Sequence, residues 1–283
     1  MKKRILIPTD YSTNAFNAIK YALELYKEES CEFFIFHSYY LSGFSKDNLL
    51  TPEPTDAELE RVRIKSERNM SKLKVQMKSF EENPHHSFQY MDVFGSFYDV
   101  MEETVKKESI EFVIMGTQGE SDKKTVVLGS NAVNVMERIR TCPVMAIPAT
   151  VAFSKPNEIV FPTSFLTDYK ETELDVLREI SRLTDAPIRI LHVQKDKKLS
   201  KTQMKNKALL ESILGSVPHT YHTLYDLEIK DGVRSFVQSR ESDMIAFINR
   251  KHNFFGSIFS NPMVKELGKY SNVPLLAVHD VKK

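Results

Sequence analysis

Gly116, Gly119, Gly129 and Ser130 fall in a G-x2-G-x9-G-[ST] spacing directly after the apolar run Val113-Ile114-Met115. The chain has only nine glycines, and three of them sit here, where a backbone must turn sharply and let a ligand approach with no Cβ in the way. Ser130 opens the amphipathic stretch Asn131–Arg140, so unpaired backbone N–H groups and the positive end of a helix dipole face the loop. Those features together make a phosphate site. Lys123 and Lys124 lie between the glycines and read most simply as solvated surface charges.

Asp10 is the second candidate, at the carboxyl end of the first apolar run, Ile5-Leu6-Ile7-Pro8-Thr9. A carboxylate beside a polyphosphate serves either a Mg²⁺, through water, or ribose hydroxyls; equally, Asp10 could cap a helix starting near Ser12–Asn14. Both roles are open from sequence. His37 and His192 end matching apolar runs but have no hydroxyl, thiol or metal-ligand spacing around them, so both read as structural. His85-His86 follows Asn83-Pro84 and reads as a solvated turn. Cys31 and Cys142 lack ligand spacing and read as packing residues.

These residues need a scaffold, and the chain writes it twice. Ile5–Asp10 recurs as Ile159–Ser164, Phe34–His37 as Arg189–His192, Glu111–Met115 as Asp243–Phe247, and Cys142–Ile147 as Val273–Val278. In the first copy, short apolar runs alternate with segments of helical period. Strands are expected at Arg4–Ile7, Phe33–His37, His86–Phe94, Phe112–Met115 and Val144–Pro148. Helices are expected at Asn14–Tyr26, from Thr55 to about Glu81, at Ser96–Lys107 and at Ser130–Arg140. The long charged helix reads as an exposed face of i,i+4 pairs, with Thr55-x-x-Glu58 as its capping box. The pattern predicts an α/β fold: two tandem five-stranded parallel sheets with helices on both faces, Rossmann-like, with ligands beyond the carboxyl ends of the strands. The expected domains are residues 1–149 and 158–283, joined by a linker at about 150–157 where Ala, Thr, Ser and Pro collect.

The second copy breaks the motif. Ser164 replaces the carboxylate of Asp10, and Ile248 and Phe259 stand where Gly116 and Gly129 do, so no nucleotide is expected in that half. Composition narrows the function classes. With 39 basic and 38 acidic side chains the formal charge is +1, which gives no footprint for nucleic acid or an anionic membrane. Lys2-Lys3-Arg4 precedes only three apolar residues before Pro8, too few for a signal peptide, and no run approaches a membrane span; a cytoplasmic location is expected.

Ile5–Asp10, His37-Ser38, Met115-Gly116-Thr117-Gln118-Gly119, Gly129-Ser130-Asn131 and Cys142-Pro143-Val144 together resemble the universal stress protein family in its tandem form, over essentially the whole chain. The resemblance implies an adenine nucleotide alpha hydrolase-like fold and binding of ATP, or of AMP or ADP, with Mg²⁺ carried by the nucleotide and Asp10 as its one candidate ligand. It implies that Pro8, Thr9 and Asp10 line the nucleotide and that Ser38 meets the adenine through its backbone. Met115 and Gly116 would pack under the ribose, with Thr117 in the same set, and Gly119, Gly129, Ser130 and Asn131 would hold phosphates. It further implies pairing of the two domains through their last strands, Val144–Pro148 and Leu275–His279, and leaves a homodimer open.

No general base suited to activating a hydrolytic water is evident, so the expectation is a stress-response protein for which nucleotide is mainly a conformational ligand, with at most slow ATPase activity and an unidentified protein partner. The alternative is a nucleotide-free scaffold using Ser42–Lys78 as its partner surface. A ligase or transferase ranks last, because neither a Ser-Gly-Gly-x-Asp loop nor a His-x-Gly-His motif is present.

Overall fold

The computed structural model describes residues 2–41, 55–117, 129–195, 198–250 and 272–279. The first half runs β1 (Lys3–Pro8), α1 (Thr13–Leu25), β2 (Cys31–Tyr39), α2 (Asp56–Met77), β3 (His86–Phe94), α3 (Phe97–Lys107), β4 (Phe112–Gly116), α4 (Ser130–Arg138) and β5 (Val144–Ile147). The second half runs β6 (Ile159–Pro162), α5 (Glu171–Thr184), β7 (Ile188–Gln194), α6 (Lys201–Leu214), β8 (His219–Tyr225), α7 (Ile229–Arg240), β9 (Met244–Asn249) and β10 (Leu275–His279). The strands form one ten-stranded sheet in the order β3-β2-β1-β4-β5-β10-β9-β6-β7-β8. Pairing is parallel within each half. At the seam β5 meets β10 antiparallel, with Met145 opposite Leu276.

The sheet is apolar on both faces, as a parallel sheet covered by helices must be. α1, α2, α5 and α6 pack one face around Ile5, Phe33, Ile159 and Ile188; α3, α4 and α7 pack the other around Leu6, Phe34, Val113 and Phe247. Each apolar layer continues across the seam, so the two halves share their cores. Polar contacts cross there too. Asn249 Nδ2 donates to the Met136 carbonyl at 2.7 Å, and the ring of His279 sits between the carbonyls of Met136 (2.8 Å) and Cys142 (3.0 Å). Lys3 pairs with Glu179 at 2.5 Å. Residues 148–158 have no regular secondary structure but are fastened to α1: Asn17 donates to the Val151 carbonyl at 2.7 Å, and Phe153 lies edge-on to Tyr21 at 5.0 Å.

Local signals set most element ends. Ser12 caps α1 by accepting from the Ala15 N–H at 3.1 Å, and Thr55 and Glu58 form a reciprocal capping box on α2. α2 buries only Ser66, Met70, Leu73 and Met77, and elsewhere carries pairs such as Arg63 with Glu60 and Glu67. It stops at Met77 and tightens into a 3₁₀ turn over Lys78–Phe80, short of the expected end. β2 is longer than its apolar run, because unbroken pairing from Cys31 with His86 to Tyr39 with Phe94 draws polar residues into the strand. His86 departs from the solvated turn expected of it. It is buried at the start of β3 with Nε2 3.0 Å from the Tyr26 carbonyl, and burial lowers its pKa although that contact opposes the shift. Cys31 and Cys142 are buried, and burial pushes both thiols up to about 12.

Candidate functional site

The order β3-β2-β1-β4-β5 reverses direction between β1 and β4, with α1 on one face and α4 on the other. A crevice must open beyond the carboxyl ends of those two strands. It holds a cavity of about 220 Å³, and Pro8, Thr9, Asp10, Ser38, Met115, Gly116, Thr117 and Asn131 all line it. Ala15, His37, Tyr40, Phe97 and Ala132 line it as well. Of these five only His37 belongs to a sequence motif, where it reads as structural; the crossing of α1, β2, α3 and α4 brings the others there. Gly119, Lys123, Lys124 and Phe259 lie outside the described residues.

The turn after β1 is built by side chains. The Tyr11 N–H donates to Thr9 Oγ1 at 3.0 Å and the Ser12 N–H to Asp10 Oδ1 at 3.0 Å, which holds Tyr11 in a left-handed conformation with φ 67°. His37 Nδ1 donates to the Thr9 carbonyl at 2.7 Å, and its ring packs on Tyr11 at 4.4 Å between centroids. Asp10 therefore braces the turn while Ser12 is the cap of α1, and it still lines the cavity. His37 is a brace as well, with its Nδ1 committed to the main chain.

β4 delivers Gly116 and Thr117 opposite that turn. A Cβ at Gly116 would fall 2.9 Å from Asn14 Nδ2 and 3.2 Å from the Asn14 carbonyl oxygen, so glycine here lets α1 lie close to β4. That packing role is one the glycine spacing alone does not show. The Gly129 N–H donates to the Thr117 carbonyl at 2.6 Å, which joins the two ends of the glycine motif. Gly129 is the N-cap of α4 with φ −68° and ψ 160°, and among the described residues no side chain caps the helix and no acidic residue stands in its first turn. Ser130 is exposed beside it. The Thr117 hydroxyl is buried with no hydrogen-bond partner among the described residues, an unusual state for a buried polar atom.

The matching turn of the second half is closed by its own protein groups. The Phe165 N–H donates to Thr163 Oγ1 at 3.3 Å, the Leu166 N–H to Ser164 Oγ at 3.2 Å, and Phe165 has φ 58°. His192 Nδ1 lies 2.7 Å from the Thr163 carbonyl. Here, however, α6 reaches over the turn: Gln203 donates to the Ser164 carbonyl and Asn206 to the Phe165 carbonyl, both at 2.9 Å, while Tyr169 meets the Thr163 hydroxyl at 2.5 Å. Ile248 is buried in β9 at the position of Gly116.

Residues 1–148 match the model of the universal stress protein family. Among solved structures, a universal stress protein from Archaeoglobus fulgidus is similar over 98% of this chain and 98% of its own, with a TM-score of 0.69 at 15% identity. A functionally unknown protein from Pseudomonas aeruginosa is similar over 98% of this chain and 92% of its own, with a TM-score of 0.64 at 10% identity. At such identities the likeness is one of fold. No curated protein matches the chain.

Proposed function

This chain belongs to the universal stress protein family, and from that premise we propose that its first half binds an adenine nucleotide, ATP with Mg²⁺, in the switch-point cavity. The observation that carries the reading is the meeting, in one cavity, of the first turn of α4, which has no side-chain cap among the described residues, of Thr117, whose buried hydroxyl has no partner among them, and of the Asp10 carboxylate. The first two suit an anion. The third suits the cation that travels with a polyphosphate. Among the described residues no group of three His, Cys, Asp or Glu side chains could cage a metal, so Mg²⁺ would arrive on the phosphates and meet Asp10 through water. Ser38 and Met115 would then flank the nucleoside, and Gly129, Ser130 and Asn131 the phosphates.

Nucleotide acts in this reading as a conformational ligand, and the second half serves as a structural partner. α4 supports that division of labour. Its first turn borders the cavity, and the carbonyl of its Met136 holds Asn249 and His279 of the other half. Hydrolysis is at most slow in this reading, because nucleotide serves to set a conformation rather than to turn over. Among the described residues no helix is long and apolar enough to cross a membrane, in keeping with action in the cytoplasm.

Isothermal titration of nucleotide-stripped protein with Mg-ATP tests the reading. One site per chain is expected, abolished by Gly129→Val, a change that the extended φ and ψ of Gly129 accept without backbone strain. No heat from the wild type at millimolar ATP would reject it in favour of a nucleotide-free scaffold.

A further inference from the structure

We propose that Tyr98 is a positioning residue which fixes Asn131 as a hydrogen-bond donor toward the phosphates, an inference that rests on the nucleotide reading above. An asparagine side chain offers an acceptor and a donor on one planar amide, and a half-turn about its last bond exchanges them. Phosphate oxygens only accept. An unrestrained Asn131 at the mouth of the cavity would therefore present its carbonyl to phosphate about as readily as its NH₂.

A chain of hydrogen bonds across α3 and α4 holds Asn131 in one of these two orientations. Asn134 Nδ2 donates to the Tyr98 oxygen at 3.0 Å. A phenol has one hydrogen, and that hydrogen goes to Asn131 Oδ1 at 2.7 Å. With its carbonyl held, Asn131 has its NH₂ left for the cavity it lines. The guanidinium of Arg138 lies 4.8 Å from the Tyr98 ring centre and steadies the phenol. Asn131, Asn134 and Arg138 sit on one stripe of α4, at spacings of three and four residues. Tyr98 is the second residue of α3, next to Phe97 in the cavity wall, yet does not itself line the cavity. It acts through Asn131. In α7 the second residue is Lys230, which has no hydroxyl to play the part.

The test is a double-mutant cycle read by titration with Mg-ATP, using wild type, Tyr98→Phe, Asn131→Ala and the double variant. Tyr98→Phe should weaken ATP binding about tenfold in the wild-type background and leave the Asn131→Ala affinity unchanged, because the residue it positions is gone. Should Tyr98→Phe also lower the melting temperature, Asn134→Ala removes only the donor that orients the phenol. It should weaken binding about threefold, again with no effect in Asn131→Ala. Wild-type affinity in Tyr98→Phe, or an equal loss in both backgrounds, overturns the positioning role and leaves nucleotide binding standing. A wild type that does not bind ATP overturns both.

Discussion

The two halves build the same turn after their first strands and then use it differently. Each turn has a threonine hydroxyl accepting from a residue in the left-handed region, an aromatic ring on a histidine, and that histidine bonded to the threonine carbonyl at 2.7 Å. Ser164 does with a hydroxyl what Asp10 does with a carboxylate. The turn itself therefore has no need of a charge, and Asp10 also lines the cavity. Around the second turn Gln203, Asn206 and Tyr169 take up the polar groups that a ligand would otherwise meet. The two halves share the scaffold of the turn, and they differ in the side chains placed over it.

The opposite ends of the same strands carry an inverted pair of charges, and breaking one should give the largest effect. Arg4, just ahead of the apolar part of β1, pairs with Glu32 and Glu108; its counterpart is Glu158, held by Arg189, Arg240 and Ser242 at 2.7–2.8 Å. Burial raises the Glu158 pKa, but the bonds from Arg240, Ser242 and Arg189 outweigh it and bring the group down to about 2. Glu158→Gln leaves two guanidinium groups without their carboxylate and should cost about 3 kcal/mol of stability at neutral pH. A depressed carboxyl pKa stabilises the fold above its unfolded value of 4.5, and that contribution is lost as pH falls toward 2. Melting curves of wild type and variant should accordingly converge across that window; a gap that stays constant down to pH 2 would refute the assignment.

Next in size is Asp10→Ser, which rewrites the first turn as the second. Since serine supports this turn in Ser164, the turn should survive the exchange, whereas Mg-ATP affinity should fall about tenfold. Thermal melts and titration of one preparation separate the two effects. A large loss of stability would mean that the carboxylate is structural after all.

The fold was legible because strand runs, caps and the repeat all point one way. Thr55 and Glu58 announced the start of α2, and Ile159–Ser164 announced a second β1-like strand. What sequence missed depends on pairing or on main-chain partners. The polar ends of β2 are strand only because β3 lies beside them, and His86 is buried because the Tyr26 carbonyl waits there. At the candidate site the motif residues were readable, but Phe97 and Tyr40 join the wall through tertiary crossing alone. Glu158 offered one clue that could have been followed, its place opposite Arg4 in the repeat.

The seam gives the smallest and most discriminating test. Met115-Gly116-Thr117 in the first half corresponds to Phe247-Ile248-Asn249 in the second, so one chain position serves the cavity as Thr117 and the joint as Asn249. Asn249→Ala removes a buried donor from the Met136 carbonyl but leaves His279 at 2.8 Å from the same oxygen, which limits the cost to about 1 kcal/mol. Because that carbonyl belongs to α4, whose first turn faces the proposed nucleotide, the cost should differ between ATP-free and ATP-saturated protein. By linkage, ATP affinity should shift by the matching amount. Equal destabilisation with and without ATP would mean that the second half holds the first in place without sensing what it binds.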